Sequence, residues 1–177
     1  MKKLLLHTCC APCSIVIVDE LKSQYDLTVF FYNPNIHPEE EYLKRKKEVM
    51  KVCDEWGVKM LDMDYDVEKW HETVKGFEQE PEGEARCAQC FSMRLKRSAE
   101  YASQRGYDIF ATSLSSGRNK KALLINGIAQ HHAKNVGLAY LSGDWKKGGR
   151  QEKGRQMIMD RDIYRQDYCG CIYSHNT

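Results

Sequence analysis

Leu4-Leu5-Leu6-His7-Thr8-Cys9-Cys10-Ala11-Pro12-Cys13-Ser14 is the stretch on which the fold turns. A short apolar run stops at a group of thiols, and helix-like sequence follows over 14–22. An apolar run of this length ending at a turn reads as a buried strand. Pro12 suits the first turn of a helix, where its missing N–H leaves nothing unsatisfied. Strand, tight turn and helix open a parallel α/β sheet, and in such sheets ligands bind where strands end and helices begin. A nucleotide-binding protein would place a Gly- or Ser-rich phosphate cradle at this turn. Ala11, Pro12 and three thiols fill it here, and neither G-x-x-x-x-G-K-[ST] nor G-x-G-x-x-G occurs in the chain. The turn reads as a nucleotide pocket given over to metal.

Working outward, strands and helices alternate. Residues 27–32 are β-branched and aromatic, as in a buried strand, and Asn33-Pro34-Asn35 breaks them. Helical periodicity fills 39–56, a strand follows at 58–63, and a helix at 67–77. The acidic stretch 79–86, with Pro81 and Gly83, reads as a loop. After Cys87-x-x-Cys90 the sequence predicts a helix over 91–104, a strand at 108–114, a helix at 122–134, a short strand at 138–141 and a helix at 151–164. Five strands joined by helical crossovers imply a parallel sheet covered on both faces. No repeat, low-complexity tract or linker divides the chain, so residues 1–177 are expected to form a single metal-binding α/β domain. The 177 residues, 42% hydrophobic and 29% charged, suffice for a core without staples.

Seven of the eight cysteines fall in three groups: Cys9, Cys10 and Cys13; Cys87 and Cys90; Cys169 and Cys171. Cys53 stands alone on the apolar side of a predicted helix and reads as a small core residue. The apolar N-terminal run is shorter than the roughly 7–15 residues of a signal-peptide h-region. No run approaches the ~18 apolar residues of a membrane span. A cytoplasmic location with no membrane association is therefore expected, and clustered thiols there point to metal or catalysis rather than disulfides. Thiolates suit zinc, copper(I) and iron–sulfur clusters. A four-cysteine zinc site would use only two C-x-x-C pairs and leave Cys9, Cys169 and Cys171 idle. An iron–sulfur cluster takes four cysteines and leaves about three for a second metal. Adjacent residues such as Cys9 and Cys10 tend to project in different directions, so they are expected to serve two centres side by side.

The net charge of +2 does not by itself indicate a nucleic-acid partner. Two local segments do. Arg118, Lys120 and Lys121 follow the fourth predicted strand and lead into a helix, a suitable phosphate site. Lys146, Lys147 and Arg150 open a basic run over 146–155 at the same sheet edge, beside Trp145, a candidate for stacking on an unpaired base. The bland reading of these residues is a solvated charge run and a core tryptophan.

Three motifs carry a family resemblance: Thr8-Cys9-Cys10-Ala11-Pro12-Cys13-Ser14, Arg86-Cys87-Ala88-Gln89-Cys90-Phe91 and Tyr168-Cys169-Gly170-Cys171. In this order, spanning the whole chain, they resemble the cobalamin-independent epoxyqueuosine reductases, QueH. The resemblance implies an adenine nucleotide α-hydrolase-like (HUP, PP-loop) fold with a parallel sheet ordered 3-2-1-4-5. It implies reduction of epoxyqueuosine to queuosine at the wobble position of tRNA, a [4Fe-4S] cluster and an additional mononuclear iron. Cys10, Cys87, Cys90 and Cys169 are the expected cluster ligands. Cys9, Cys13 and Cys171 are expected at the second iron or the cluster, the division between them being open. Turning an epoxide into an alkene and water takes two electrons and two protons. Tyr168, His7, Asp144 and Tyr32 are candidate proton donors, and a small ferredoxin or flavodoxin is the expected electron donor. The oligomeric state is left open. Alternatives are a zinc-stabilised RNA-binding protein, a thiol–disulfide redox protein, and an iron–sulfur tRNA thiolation enzyme. The last would need a Ser-Gly-Gly-x-Asp-Ser loop where this chain has Cys9-Cys10-Ala11-Pro12-Cys13-Ser14.

Overall fold

Strand β1, Lys3–His7, lies at the centre of the sheet because its middle is the continuous apolar run Leu4-Leu5-Leu6. Leu4, Leu5 and Leu6 are completely buried, as a parallel strand covered on both faces requires. The computed structural model describes residues 1–174. The remaining strands are β2 (Asp26–Phe31), β3 (Lys59–Asp62), β4 (Ile109–Thr112) and β5 (Ala139–Tyr140). All pairings are parallel and the order is β3-β2-β1-β4-β5, the arrangement implied by the family resemblance.

Alternation along the strands divides the core into two layers. Leu4, Leu6, Val29 and Phe31 pack with helices α1 (Ala11–Leu21) and α2 (Glu39–Trp56). Leu5, Phe30 and Phe110 face the other way, against α4 (Ala85–Gln104) and α5 (Ala122–Asn135). Between α2 and α4 the chain forms α3 (Val67–Val74), and α6 (Arg150–Asp160) packs on α1. Helix α2 matches its expected limits because Gly57, at φ +63°, ends it in the left-handed region that glycine enters freely. Cys53, 2% exposed on this helix, sits in the first core layer as expected.

Helix α4 departs from expectation. It begins at Ala85, so Cys87 and Cys90 lie in its first two turns rather than in a loop before it. The helix entry follows Gly83, whose φ of +93° turns the chain sharply.

Candidate metal centre

All three thiol groups meet at the carboxyl ends of the central strands. Cys9 and Cys10 follow β1 directly, and Cys13 lies in the first turn of α1 with Pro12. Their sulfurs all lie within 4.8 Å of one another. Cys9 Sγ and Cys10 Sγ are 3.7 Å apart, so the adjacent pair converges instead of diverging toward separate centres. Ser14 Oγ donates to Cys10 O at 2.8 Å, and Ser116 Oγ donates to Cys13 O at 2.7 Å, fixing the turn from both sides.

Cys90, Cys169 and Cys171 pack around the buried Trp70, while Cys87 packs in the layer that also touches Cys9. Lys120 lines one cavity with Cys9, Cys13 and Cys169, and against burial the charge of Cys169, Cys9 and Cys90 holds its ammonium above the ordinary lysine range. The eight cysteines are free thiols. Their ionisation is uneven. Cys9 is held below the ordinary thiol range by bonds from the Cys10 and Cys13 thiols, aided by Arg94 and Lys120, while burial pushes Cys10 up. Cys169 is pulled down to about 4 by the bond from Cys171, against burial and with help from Lys120; its bonding to Cys169, with burial, raises Cys171. Each of these groups thus offers a ready thiolate, the form that binds metal.

Positioning residues surround the thiols. Arg45, 2% exposed on α2, donates from Nε to Glu41 Oε1 at 2.7 Å. Its other nitrogens donate to Cys169 O at 2.9 Å and Tyr168 O at 3.0 Å. Gly170, at φ +109°, allows the C-x-C turn to close, and its carbonyl accepts from His37 N at 2.8 Å. A Cβ there would lie 3.1 Å from Ile36 Cα. Gln166 Nε2 donates to Cys10 Sγ at 2.8 Å, and its Oε1 is buried without a partner. Arg86 and Arg94 flank Cys90 at four-residue spacing on α4, so all three share one helix face. That spacing is visible in sequence. Arg45 and Gln166 carry no such local signal.

A cavity of about 910 Å³ opens on the thiols, lined by Cys9, Cys13, Cys169, Arg118, Lys120 and Tyr168 among others. Of the candidate proton donors, Tyr168 lines it, with its hydroxyl donating to His37 O. His7 is completely buried between Thr112 and Tyr32. The Tyr32 carbonyl can only accept, so Nε2 carries the proton and Nδ1 accepts from Thr112. Burial, then the Arg94 charge, pushes His7 down to about 3, which leaves the ring neutral. Tyr32 donates to Asp66 Oδ2 at a second cavity, and Asp144 pairs with Lys147 at 3.5 Å outside the first.

Of the basic residues, Arg118 and Lys120 face the cavity with Arg150, whereas Lys121 lies at the start of α5. Arg150 also pairs with Glu20 at 3.0 Å. Lys146 Nζ donates to Lys120 O. Trp145 is 9% exposed, donates from Nε1 to Thr112 O at 3.0 Å and belongs to the core. It forms cavity wall and leaves no open face for stacking, because its ring is needed to cover the end of β4. Among the described residues, no helix is long and apolar enough to cross a membrane.

The donor set fits an iron–sulfur cluster. Three thiols, Cys9, Cys10 and Cys13, already converge within 4.8 Å, and four more, Cys87, Cys90, Cys169 and Cys171, lie in the surrounding layers, more than the four that a closed zinc site would use. Cys10, Cys87, Cys90 and Cys169 are available for the cluster without exhausting the set.

A parallel sheet of this order with thiols at its nucleotide-binding end defines a metalloprotein on a PP-loop-like scaffold. The same fold occurs in the U34-tRNA thiolase NcsA from Methanococcus maripaludis, solved with its [4Fe-4S] cluster, at a TM-score of 0.57 and 11% identity; the match covers 98% of this chain and 61% of that one. The chain belongs to the epoxyqueuosine reductase QueH family, whose model matches residues 4–177. It is 41% identical to the QueH of Histophilus somni (97% of this chain, 72% of the relative). It is also 34% identical to that of Thermotoga maritima (98% of this chain, 91% of the relative). The family activity makes the chain an oxidoreductase.

Proposed function

We propose that this chain reduces the epoxide of epoxyqueuosine at the tRNA wobble position to the alkene of queuosine, with loss of water. The observation that carries this reading is the cavity lined by Cys9, Cys13 and Cys169, with the Cys9, Cys10 and Cys13 sulfurs within 4.8 Å of one another, in a QueH-family chain. The balance is two electrons and two protons per epoxide. When bound to Cys10, Cys87, Cys90 and Cys169, a [4Fe-4S] cluster supplies the electrons one at a time. Cys9, Cys13 and Cys171 remain for a second iron or for the cluster itself.

The chain's own residues do the rest. Tyr168 is the proton donor best placed for the cavity; burial raises its phenol, which keeps it protonated. Arg118 and Lys121 receive tRNA phosphate, with Lys146, Lys147 and Arg150 at the same edge, whereas Lys120 turns inward to the thiol cavity. A small ferredoxin or flavodoxin delivers electrons in a cytoplasmic setting, and residues 1–177 act as one domain.

The test is anaerobic reconstitution followed by iron and sulfide analysis and an epoxide-reduction assay on tRNA. About four sulfides with more than four irons per chain, and product formation, are expected. A colourless protein holding one zinc and lacking activity would overturn the reading. Reversing charge at Arg118 and Lys121 should weaken tRNA binding and flatten its salt dependence; unchanged affinity would remove the RNA assignment.

A further inference from the structure

Cations crowd the thiols, and several of those near the cavity have an acid beside them. Arg45 pairs with Glu41, Arg150 with Glu20 and Lys147 with Asp144. Arg86 spends its guanidinium on the Glu78 and Glu80 carbonyls and on Ser174.

Arg94 and Lys120 differ. Among the described residues, neither forms an ion pair with a carboxylate. Arg94 is 1% exposed and stands one helical turn beyond Cys90. Its Nη2 donates to Asn33 Oδ1 at 2.7 Å, and Asn33 Nδ2 donates to Thr8 O at 2.9 Å, so the guanidinium is braced toward the β1 turn. Its Nη1 lies 3.9 Å from Cys90 Sγ, and its Nε is buried with no acceptor. Lys120 lines the same cavity as Arg94, Cys9 and Cys169, its ammonium 4.8 Å from the centre of the Phe91 ring. A buried cation without an anion is strongly unfavourable. The groups within reach are the thiol sulfurs: Cys90 Sγ for Arg94, and Cys9 and Cys169, which line the same cavity, for Lys120.

We propose that Arg94 and Lys120 are the counter-charges of the thiol centre and set the reduction potential of the iron–sulfur cluster held there. The inference rests on the cluster reading given above. Reduction adds one negative charge at the centre, and a fixed cation nearby favours that state. Charge and hydrogen bonding at the sulfurs are the protein's means of tuning such a potential. Both residues act through the cluster and are positioning residues in the electrostatic sense.

The experiment is an EPR-monitored redox titration of the reconstituted full chain, comparing wild type with Arg94→Met, Arg94→Lys and Lys120→Met at constant ionic strength. Each methionine variant should shift the reduced-to-oxidised ratio at least tenfold toward oxidised, a midpoint about 59 mV lower for one electron. Arg94→Lys keeps the charge but loses the fork to Asn33, and should stay near wild type. If Arg94→Met does not fold, Lys120→Met, on a half-buried loop, gives the same decision. A wild-type cluster with unmoved midpoints in the neutral variants overturns this inference alone. A wild-type chain that assembles no cluster overturns the epoxide-reduction reading and this one with it.

Discussion

Replacing Arg45 with methionine should loosen the C-x-C turn and destabilise the fold together. The side chain is 2% exposed and its partner Glu41 11%. Removing one member of a buried pair leaves the other charge uncompensated, which typically costs about 3–5 kcal/mol. Glu41 keeps the Tyr164 hydroxyl at 2.9 Å, so the lower half of that range is expected. The carbonyls of Tyr168 and Cys169 also lose their donor. For a chain of this size each kcal/mol moves the melting temperature by about 2–4 °C. Thermal unfolding of the reduced, metal-free protein by circular dichroism should therefore fall by about 6–16 °C. Amide exchange over 168–171 should quicken more than elsewhere. Arg45→Lys preserves charge but not the fork, and should recover part of the melting temperature while leaving the turn fast. A change below about 1 kcal/mol, with exchange over the turn unaltered, would refute the assignment.

Three further substitutions probe the site. Gly170→Ala places a Cβ 2.9 Å from Ile36 Cγ1 at a φ of +109°, so it should cost about 1–3 kcal/mol and lower bound iron; full iron content would contradict the packing argument. Burial pushes the Cys53 thiol up to about 12, so native protein should leave it unalkylated, and Cys53→Ala should retain all its iron; lost iron would make it a ligand. Gln166→Leu removes the donor on Cys10 Sγ and should lower metal affinity about 10–100-fold, seen as faster loss to a chelator; an unchanged rate would make the contact incidental.

The sheet and its ligand turn were legible because their signals are local. Residues 4–6 are all leucine, and Pro12 marks the helix start. Helix α2 was legible over its full length for the same reason. The start of α4 was hidden by Pro81 and Gly83, which look like the end of order but instead lead into a helix that carries Cys87 and Cys90. Trp145 looked available beside a basic run, yet its indole N–H is needed by Thr112, a residue distant in sequence. Arg45 was unreadable in principle, since its carbonyl partners lie 123 and 124 positions away.

The central place of β1 has a consequence for how the chain is made. One edge of β1 pairs with the nearby β2, but the other waits for β4, and His7 and Thr112 are 105 positions apart. At a synthesis rate of 5–20 residues per second, that interval is about 5–20 s. Throughout it, the edge of β1 is an open template for another nascent chain. The thiols at its tip stand meanwhile in a half-walled pocket, before α4 has brought Cys87 and Cys90. Synthesis itself therefore exposes the centre to oxidants and to stray metals, and the crowding of nascent chains should govern how much of the protein reaches its working form.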